Sequence, residues 1–437
     1  MPAGDKSGMD SSKSFANLPS SGIGMTVAIT GLGIISCIGQ TLDEVACSLK
    51  QGKSGVILDE DRIKRGFRSG LTGRIADFDP RQWGLKRKHL TTMGEPARYA
   101  AAAAIAAVKD SGLLEEHLRN DRCGLIFGND STVGATVESI ALVNECGGTH
   151  HLGSGYVFKS MNSTISMNLA AYFGTQGANW SLSAACASGA HVIGQALMLI
   201  RSGLQDIVIV GGAQETNWQS AASFDALGAF SLRHDAPEKA SRPFDAERDG
   251  LVPSGGAACL VMEELEHARK RGARIYGIVR GYGFASQTGA NLSEPSLSGA
   301  IRAMQMALQD GGIGHQEVDY INAHATSTPA GDLVEAQAIV AVFGEGVPVS
   351  STKSMTGHEC WMAGASEALY TILMAREGFI APNLNFNSFQ PDCPRIKIIT
   401  ECTPARIRMA LSNSFGFGGT YASLLFDFRH AGGCDLR

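Results

Sequence analysis

The chain has 437 residues, of which 44% are hydrophobic and 18% charged, and its net charge at neutral pH is −5. This length exceeds what one ordinary hydrophobic core needs, so two domains or a duplicated domain are expected. The mild negative charge argues against a general nucleic-acid binder, and no apolar run reaches the roughly 18–20 residues that a membrane span requires.

The N-terminal segment and the cysteines indicate the cellular compartment of the protein. Residues 1–24 are rich in Ser, Gly, Asp and Lys and contain no arginine, so we predict a disordered leader rather than a targeting peptide. The ten cysteines are scattered and form no Cys-x-x-Cys pair. Together these features predict a protein of the reducing cytoplasm rather than a disulfide-bonded one.

The ordered chain is expected to begin with a buried strand at Val27 that runs into a glycine turn. A turn of this kind could begin a dinucleotide site, but the full glycine fingerprint and its later acidic residue are missing. A dinucleotide cofactor is therefore not predicted.

Segments of the second half repeat the pattern of segments of the first half. Three groups of elements correspond in order: the strands at Val27 and Ile275, the helices 97–109 and 299–309 with the strands that follow them at Cys123 and Val318, and the helices that end near Arg201 and Arg376. Any α/β protein shows some such echoes, but their ordered correspondence favours an internal duplication. We predict two similar α/β halves at residues 25–274 and 275–429, followed by a tail at 430–437.

Cys186 is the candidate nucleophile. Small residues surround it, and the segment that follows, 187–202, has a helical pattern. At a helix N-terminus the dipole favours a thiolate, and free N–H groups can hold an oxyanion. The alternative, a small core cysteine, is the interpretation that we give to the other nine.

Two histidines in the second half, His324 and His358, each follow an apolar stretch and precede small or polar residues. Imidazoles in such turns could stabilise negative charge or move protons. Zinc is the competing use of Cys and His, but the spacings are long and no fourth ligand is obvious. Lys353, five residues before His358, would keep nearby histidines neutral if buried; otherwise it is a solvated lysine.

A glycine-rich segment near the C-terminus, 411–420, contains Phe415 and Phe417. Its backbone N–H groups could complete an oxyanion hole, and its phenylalanines could gate a pocket for a carbon chain or simply pack in the core. Because a duplicated α/β domain brings equivalent turns to one interface, we expect Cys186 and the two histidines to meet there. The combination predicts acyl transfer through a thioester.

These motifs resemble those of the β-ketoacyl-acyl-carrier-protein synthases of the thiolase-like superfamily. The resemblance runs from about Val27 to about Phe428. It rests on the Cys186 turn and on the segments 224–231, 241–250, 322–332, 351–358 and 413–419. It implies a thiolase-like fold layered α-β-α-β-α.

The resemblance also implies a role for each matching residue. Cys186 would accept the acyl group, and His324 and His358 would stabilise the enolate and assist malonyl decarboxylation. The remaining matches are Lys353 before the second histidine, Glu335 and Glu367 as supporting carboxylates, the backbone N–H groups of Cys186 and Phe417 as the oxyanion hole, and the Phe417 ring as the acyl gate.

By the same resemblance, the chain would act on acyl and malonyl groups carried on the phosphopantetheine of an acyl carrier protein, without a metal or other cofactor, and as a homodimer. Such carrier proteins are acidic, so a basic patch would steer them to the site. Arg62, Lys64, Arg65 and Arg68 resemble the docking region, although a solvated charged face is an equal alternative.

Some residues depart from the family pattern. Ala325 and Trp361 stand where Gly is typical, and Met362 stands where Ala is typical. The bulk of Trp361 favours, as an alternative function, a ketosynthase of a specialised polyene or polyketide pathway. A non-catalytic partner subunit would lack Cys186, and a thiolase would use a second cysteine in place of the second histidine with Lys353.

Overall fold

The computed structural model describes residues 25–287 and 291–430. The predicted leader, 1–24, and residues 431–437 of the predicted tail lie outside the described residues. The strands are β1 Val27–Ile35, β2 Val56–Leu58, β3 Leu71–Gly73, β4 Cys123–Gly128, β5 Asn179–Leu182, β6 Ile207–Gln214, β7 Gly256–Glu264, β8 Gly277–Ser286, β9 Tyr320–Asn322, β10 Pro348–Ser350, β11 Phe379–Ile380, β12 Lys397–Ile398, β13 Thr403–Pro404, β14 Met409–Gly416 and β15 Thr420–Asp427.

The α-helices are α1 Leu42–Gln51, α2 Glu60–Lys64, α3 Arg87–Leu90, α4 Glu95–Ser111, α5 Glu115–Leu118, α6 Val133–Cys146, α7 Tyr156–Lys159, α8 Thr164–Phe173, α9 Ser188–Arg201, α10 Trp218–Leu227, α11 Leu265–Lys270, α12 Leu297–Gly311, α13 Pro329–Phe343, α14 Lys353–Thr356 and α15 Ala363–Glu377. Short 3₁₀ turns at 185–187 and 360–362 lead directly into α9 and α15.

Five strands of each half share one topology. In the first half the order is β1-β7-β6-β4-β5, and in the second half it is β8-β15-β14-β9-β10, with β12 added at the edge beside β10. Each half begins with two antiparallel pairings, β1 with β7 and β7 with β6, matched by β8 with β15 and β15 with β14. The remaining pairings in each half are parallel. The internal duplication predicted from the sequence is confirmed.

The elements stack in five layers. Helix α4 packs on β1, β7 and β6, and α12 packs on β8 and β15, so each lies on an outer face of one half. Helices α9 and α15 pack against each other and contact strands of both halves. One large apolar cluster fills this central layer, and two others lie beneath the outer helices. The two halves are joined edge to edge where Ala28 and Ile29 of β1 pair with β8.

The duplication extends to individual contacts of the first strand of each half. A Cβ added at Gly33 of β1 would lie 2.0 Å from the carbonyl oxygen of Ala103, and one at Gly283 of β8 would lie 1.9 Å from that of Ala303. Glycine therefore lets each strand approach its Ala-rich helix closely. Asp110 and Asp310, at the ends of those helices, each accept a backbone N–H of the strand at 2.9 Å.

Glycine also sets the spacing of the two central helices. A Cβ added at Gly189 of α9 would lie 2.8 Å from the backbone nitrogen of Ala365, and one at Gly364 of α15 would lie 2.3 Å from that of Ala190. The helices therefore cross with their first turns in backbone contact. This crossing brings the turns that precede α9 and α15 side by side.

No helix among the described residues is long and apolar enough to cross a membrane.

We expect Gly364→Ala to destabilise the protein, although alanine is about 1 kcal/mol better than glycine in a helix interior. The added methyl group meets backbone rather than a movable side chain, and such overpacking costs about 1–3 kcal/mol or more. Chemical denaturation should therefore show a lower free energy of unfolding. The matched control is Gly346→Ala, where an added Cβ has no atom within 4 Å; equal stability of the two variants would contradict the close crossing.

Candidate active site

Cys186 lies in the 3₁₀ turn between β5 and α9, so the predicted position before a helix is confirmed. Ala185 before it has a φ of +46°, which is unfavourable for a residue with a Cβ. The turn is held by the carboxylate of Asp130, which accepts the Ala185 N–H at 2.9 Å, and by the Ser188 hydroxyl, which accepts the Ala184 N–H and donates to the Ala185 carbonyl. The strained conformation is therefore fixed before any substrate arrives.

The junction between β14 and β15 closes over the Cys186 turn. The Thr420 hydroxyl donates to the Ala184 carbonyl at 2.9 Å, and a Cβ on Gly416 would lie 3.0 Å from the same oxygen. The backbone N–H groups of Phe417 and of Cys186 itself both lower the pKa of the Cys186 thiol, so each lies near the sulfur. N–H groups from two elements near the nucleophile are what an oxyanion hole requires.

The Cys186 thiol is a weaker acid than the sequence led us to expect. Burial raises its pKa to about 12, while Lys353 and the two N–H groups act in the opposite direction without matching it. The net direction is opposite to the lowered pKa expected at a helix N-terminus, because the residue is only 6% exposed and its loss of hydration outweighs the groups that favour the thiolate. The resting thiol therefore keeps its proton and needs a base to become a nucleophile.

His324 and His358 lie side by side with ring centroids 5.3 Å apart and nearly perpendicular. The backbone of His358 is fixed by Val252 and Ser254, through hydrogen bonds of 2.7 and 2.9 Å. Both nitrogens of the His358 ring and Nδ1 of His324 have no hydrogen-bond partner in the described part of the chain. Burial, reinforced by Lys353, lowers the pKa of both histidines well below the usual range. Both rings are therefore neutral and free to exchange protons with a ligand.

Lys353 forms a buried ion pair with Glu367 of α15. Burial raises the pKa of Glu367 to about 8 although Lys353 lowers it. Glu335 of α13 accepts the backbone N–H of His324 at 2.9 Å and the Asn413 side-chain amide at 3.0 Å, and burial raises its pKa to about 7. These groups hold the segments that carry the histidines and place one cation behind them.

One cavity of about 400 Å³ unites these parts. Among the predicted site residues, Cys186, His324, His358, Glu335 and Phe417 line it. Lys353 and Glu367 lie behind its wall. The Phe417 ring is 37% exposed. The structure thus brings together residues that are separated by up to about half of the chain.

Aromatic side chains border Cys186. The Phe224 ring stacks on the Phe417 ring at 6.2 Å, and Trp361 lies 6.2 Å from Phe224 on another side. Trp361 packs in one cluster with Cys186, and its indole N–H donates to the Ser131 hydroxyl at 3.1 Å. Phe224 stands in a motif that the sequence analysis used only for the resemblance. Asp130 was missed, since its isolated position in the sequence gives no signal, and Asn413 was noted only as the first residue of the segment 413–419.

The other departures from the family pattern lie in the core. Met362 is fully buried in the central cluster, and Ala325 is buried where its carbonyl accepts the Ser351 hydroxyl at 2.7 Å. Cys360 beside Trp361 lines the cavity. Trp361, rather than Met362 or Ala325, is therefore the departure that touches the Cys186 turn.

Of the four predicted docking residues, Lys64, Arg65 and Arg68 are exposed, and Arg62 is not. Arg62 is 3% exposed and donates to the carbonyls of Leu71 and Thr216. It also lines the cavity that contains Cys186. The prediction that Arg62 belongs to an exposed docking patch is wrong, because α2 turns this residue inward while Lys64 faces solvent.

Comparisons with known proteins agree with this geometry. Residues 25–268 match the model of the β-ketoacyl synthase N-terminal domain, and residues 276–387 match that of the C-terminal domain. A 3-oxoacyl-[acyl-carrier-protein] synthase 1 of Haemophilus influenzae is 45% identical over 403 residues, which cover 91% of this chain and 98% of that protein.

Two solved structures show the same architecture. A β-ketoacyl synthase from Burkholderia phymatum superposes with a TM-score of 0.87 at 36% identity, covering 92% of this chain and 99% of that one. A type II polyketide ketosynthase in complex with its acyl-carrier protein gives a TM-score of 0.85 at 29% identity with the same coverage. The thiolase-like fold predicted from the sequence is confirmed.

We expect the alkylation of Cys186 to accelerate about tenfold per pH unit between pH 7 and 9. With its pKa raised to about 12, the thiolate is a small fraction that grows tenfold with each unit. Peptide mass spectrometry after short exposure to iodoacetamide measures the modification at this position, with exposed Cys47 in the same sample as a reference. A rate at Cys186 that is already constant above pH 7 would show that its pKa is lowered instead.

Proposed function

The chain belongs to the β-ketoacyl synthase family, and from this premise we propose that it is a 3-oxoacyl-[acyl-carrier-protein] synthase, an acyltransferase that elongates acyl chains by two carbons in fatty-acid synthesis. The observation that supports the proposal most is that Cys186, His324 and His358 line one cavity. The Haemophilus influenzae relative described above carries this activity in its name.

In the first half-reaction the Cys186 sulfur attacks the thioester carbonyl of an acyl group presented on phosphopantetheine. Because the resting thiol is protonated, a neutral imidazole takes its proton and passes it to the departing pantetheine sulfur. The N–H groups of Cys186 and Phe417 hold the oxygen that becomes negative. The acyl group remains as a thioester on Cys186.

In the second half-reaction a malonyl thioester enters and loses CO₂. The electron pair of the broken C–C bond forms an enolate, whose oxygen accepts hydrogen bonds from neutral His324 and His358. The enolate carbon then attacks the acyl thioester, and the Cys186 thiolate leaves and recovers a proton. Loss of CO₂ supplies the carbon nucleophile, so the step requires no metal or redox cofactor. Lys353 supports this role of the two histidines, because its positive charge helps to keep both imidazole rings neutral.

We propose that an acidic acyl carrier protein docks at Lys64, Arg65 and Arg68. The guanidinium of Arg65 lies 4.6 Å over the Trp218 ring, which holds it at the surface. A Cβ on Gly228 would lie 2.9 Å from the Arg68 guanidinium, and Gly228 lines the cavity, so Arg68 stands at the rim. The complex of a similar ketosynthase with its own carrier protein supports this mode of delivery.

We also propose a homodimer formed through the edge of β5. This strand ends the sheet, and Trp180 on it is 40% exposed. Ile140 of α6 and Phe158 of α7 are further exposed apolar side chains of the segment between β4 and β5. An unpaired strand edge with exposed apolar side chains nearby suits pairing with a second copy. We place the enzyme in the cytoplasm, because the nine described cysteines are all free.

A ketosynthase of a specialised polyene or polyketide pathway is the second candidate. The observation that favours it is Trp361, which packs on the Cys186 turn and is tied to Ser131. It would use the same catalytic residues on a different primer.

The proposed function is tested with purified protein, malonyl-carrier protein and a series of saturated acyl-carrier proteins. We expect an acyl adduct on Cys186 by mass spectrometry, and a product two carbons longer after malonyl-carrier protein is added. Cys186→Ala should lose both the adduct and the product while the circular dichroism spectrum and the melting temperature are retained.

His324→Ala is the variant that separates the two half-reactions. It should keep the acyl adduct on Cys186 while the release of CO₂ from malonyl-carrier protein falls by about 10²-fold or more. Normal condensation by Cys186→Ala, or no adduct with any primer on the parent enzyme, would sink the proposal.

The docking surface makes a separate prediction. Arg65→Glu combined with Arg68→Glu should raise the KM for acyl-carrier protein about tenfold at low salt, and the difference should shrink as ionic strength rises. Arg81→Glu, a reversal of another exposed arginine, serves as the matched control. An equal effect of the double variant on acyl-pantetheine, which lacks the carrier protein, would locate the defect inside the cavity rather than at the docking surface.

A further inference from the structure

One part of the cavity wall has no role in the proposed chemistry. Besides the catalytic residues and apolar residues such as Leu227 and Leu292, the cavity is lined by Arg62, Thr72, Gln214, Glu215, Thr216 and Ser220. A pocket that holds only a saturated carbon chain needs apolar walls. This polar group therefore calls for a ligand that can interact with it.

Arg62 is the unusual member of the group, since it is a buried cation in a reaction cavity. Two of its guanidinium nitrogens donate to the carbonyls of Leu71 and Thr216, at 3.3 and 3.1 Å. Its Nε has no hydrogen-bond partner among the residues that the structure describes, and its nearest carboxylate, Asp59, is 3.9 Å away. Burying a charge with so few partners is costly unless a ligand completes them.

Gln214, the last residue of β6, presents the complementary atom. Its side-chain amide nitrogen donates to the Glu215 carbonyl at 2.7 Å, which fixes the orientation of the amide group. The other side-chain atom, Oε1, is buried and accepts no hydrogen bond from the described residues. Two residues that line the cavity therefore each carry a buried polar atom without a hydrogen-bond partner among the described residues, the acceptor Oε1 of Gln214 and the donor Nε of Arg62.

These atoms are reached from the nucleophile within one cavity. Cys360 packs in one cluster with Cys186, and it lines the same cavity as Arg62 and Gln214. An acyl group attached to the Cys186 sulfur can therefore extend along this wall.

Resting on the proposed function, we propose that Arg62 and Gln214 bind a hydroxyl group at the far end of the acyl chain carried by Cys186. A hydroxyl has a donor hydrogen that suits Gln214 Oε1 and an acceptor oxygen that suits the Arg62 guanidinium. A methyl end would leave both unsatisfied. A carboxylate would face the Gln214 oxygen and the Glu215 carboxylate, which line the same wall.

The test compares primers of equal length that differ only at the end: octanoyl-, 8-hydroxyoctanoyl- and 7-carboxyheptanoyl-carrier protein. Rates of adduct formation on Cys186 are measured by mass spectrometry for each primer. We expect the parent enzyme to transfer the hydroxylated primer about tenfold faster than the octanoyl primer and faster than the carboxylated one.

Two variants assign the preference to these residues. Arg62→Leu and Gln214→Met should each bring the ratio of the hydroxyoctanoyl rate to the octanoyl rate down to about one. Arg81→Leu, the same substitution at an exposed arginine, should keep the parent ratio. Because Gln214 is uncharged and of similar volume to methionine, its variant keeps the test open if Arg62→Leu fails to fold.

The outcomes separate the two proposals. Equal or faster transfer of octanoyl by the parent enzyme, a preference for the carboxylated primer, or a ratio unchanged in Gln214→Met would each overturn the hydroxyl site while leaving the synthase assignment intact. The absence of any adduct on Cys186 with all three primers would instead overturn the proposed function.

Discussion

The backbone contact between α9 and α15 is the constraint on which the rest of the site depends. It exists because Gly189 and Gly364 leave no Cβ between the two helices. The 3₁₀ turns that precede these helices are equivalent in the duplication, and each contains a residue with positive φ, Ala185 at +46° and Cys360 at +44°. In the first copy the turn presents Cys186, and in the second copy the same position holds Trp361. One duplicated turn thus carries the proposed nucleophile, and the other places an aromatic ring beside it.

Burial then sets the protonation states that the chemistry uses. Water is excluded from the Cys186 thiol and from both imidazole rings. Burial therefore raises the pKa of Cys186 and lowers the pKa values of His324 and His358. The resting site therefore holds a neutral thiol beside neutral imidazoles rather than a thiolate–imidazolium pair. Lys353, which forms an ion pair with Glu367, places a cation behind the cavity wall. In the proposed reaction, negative charge would develop on a substrate carbonyl oxygen next to the N–H group of Phe417.

The duplication and the three side chains that meet in the cavity could be predicted from the sequence, because alternating strands and helices and small-residue turns leave local signals. The sequence could not carry the sign of the pKa shift at Cys186, which depends on how completely distant segments exclude water. It also misplaced Arg62, since the four basic residues between 62 and 68 look alike from the sequence, and only the hydrogen bonds to Leu71 and Thr216 show that this one points inward. Asp130 and Asn413 support the site through contacts between segments that are far apart in the chain.

The two residues of the proposed primer site occupy different places in the fold. The strands and central helices that occur in both halves position Cys186 and the histidines. Arg62 lies on α2, in the excursion between β2 and β3, which pair with each other outside the large sheet. A change there alters one wall of the cavity and leaves the duplicated core intact, as is general where loops on a rigid scaffold set specificity. Gln214 instead ends β6, a strand of the duplicated sheet, so the proposed site joins one residue outside the duplication to one inside it.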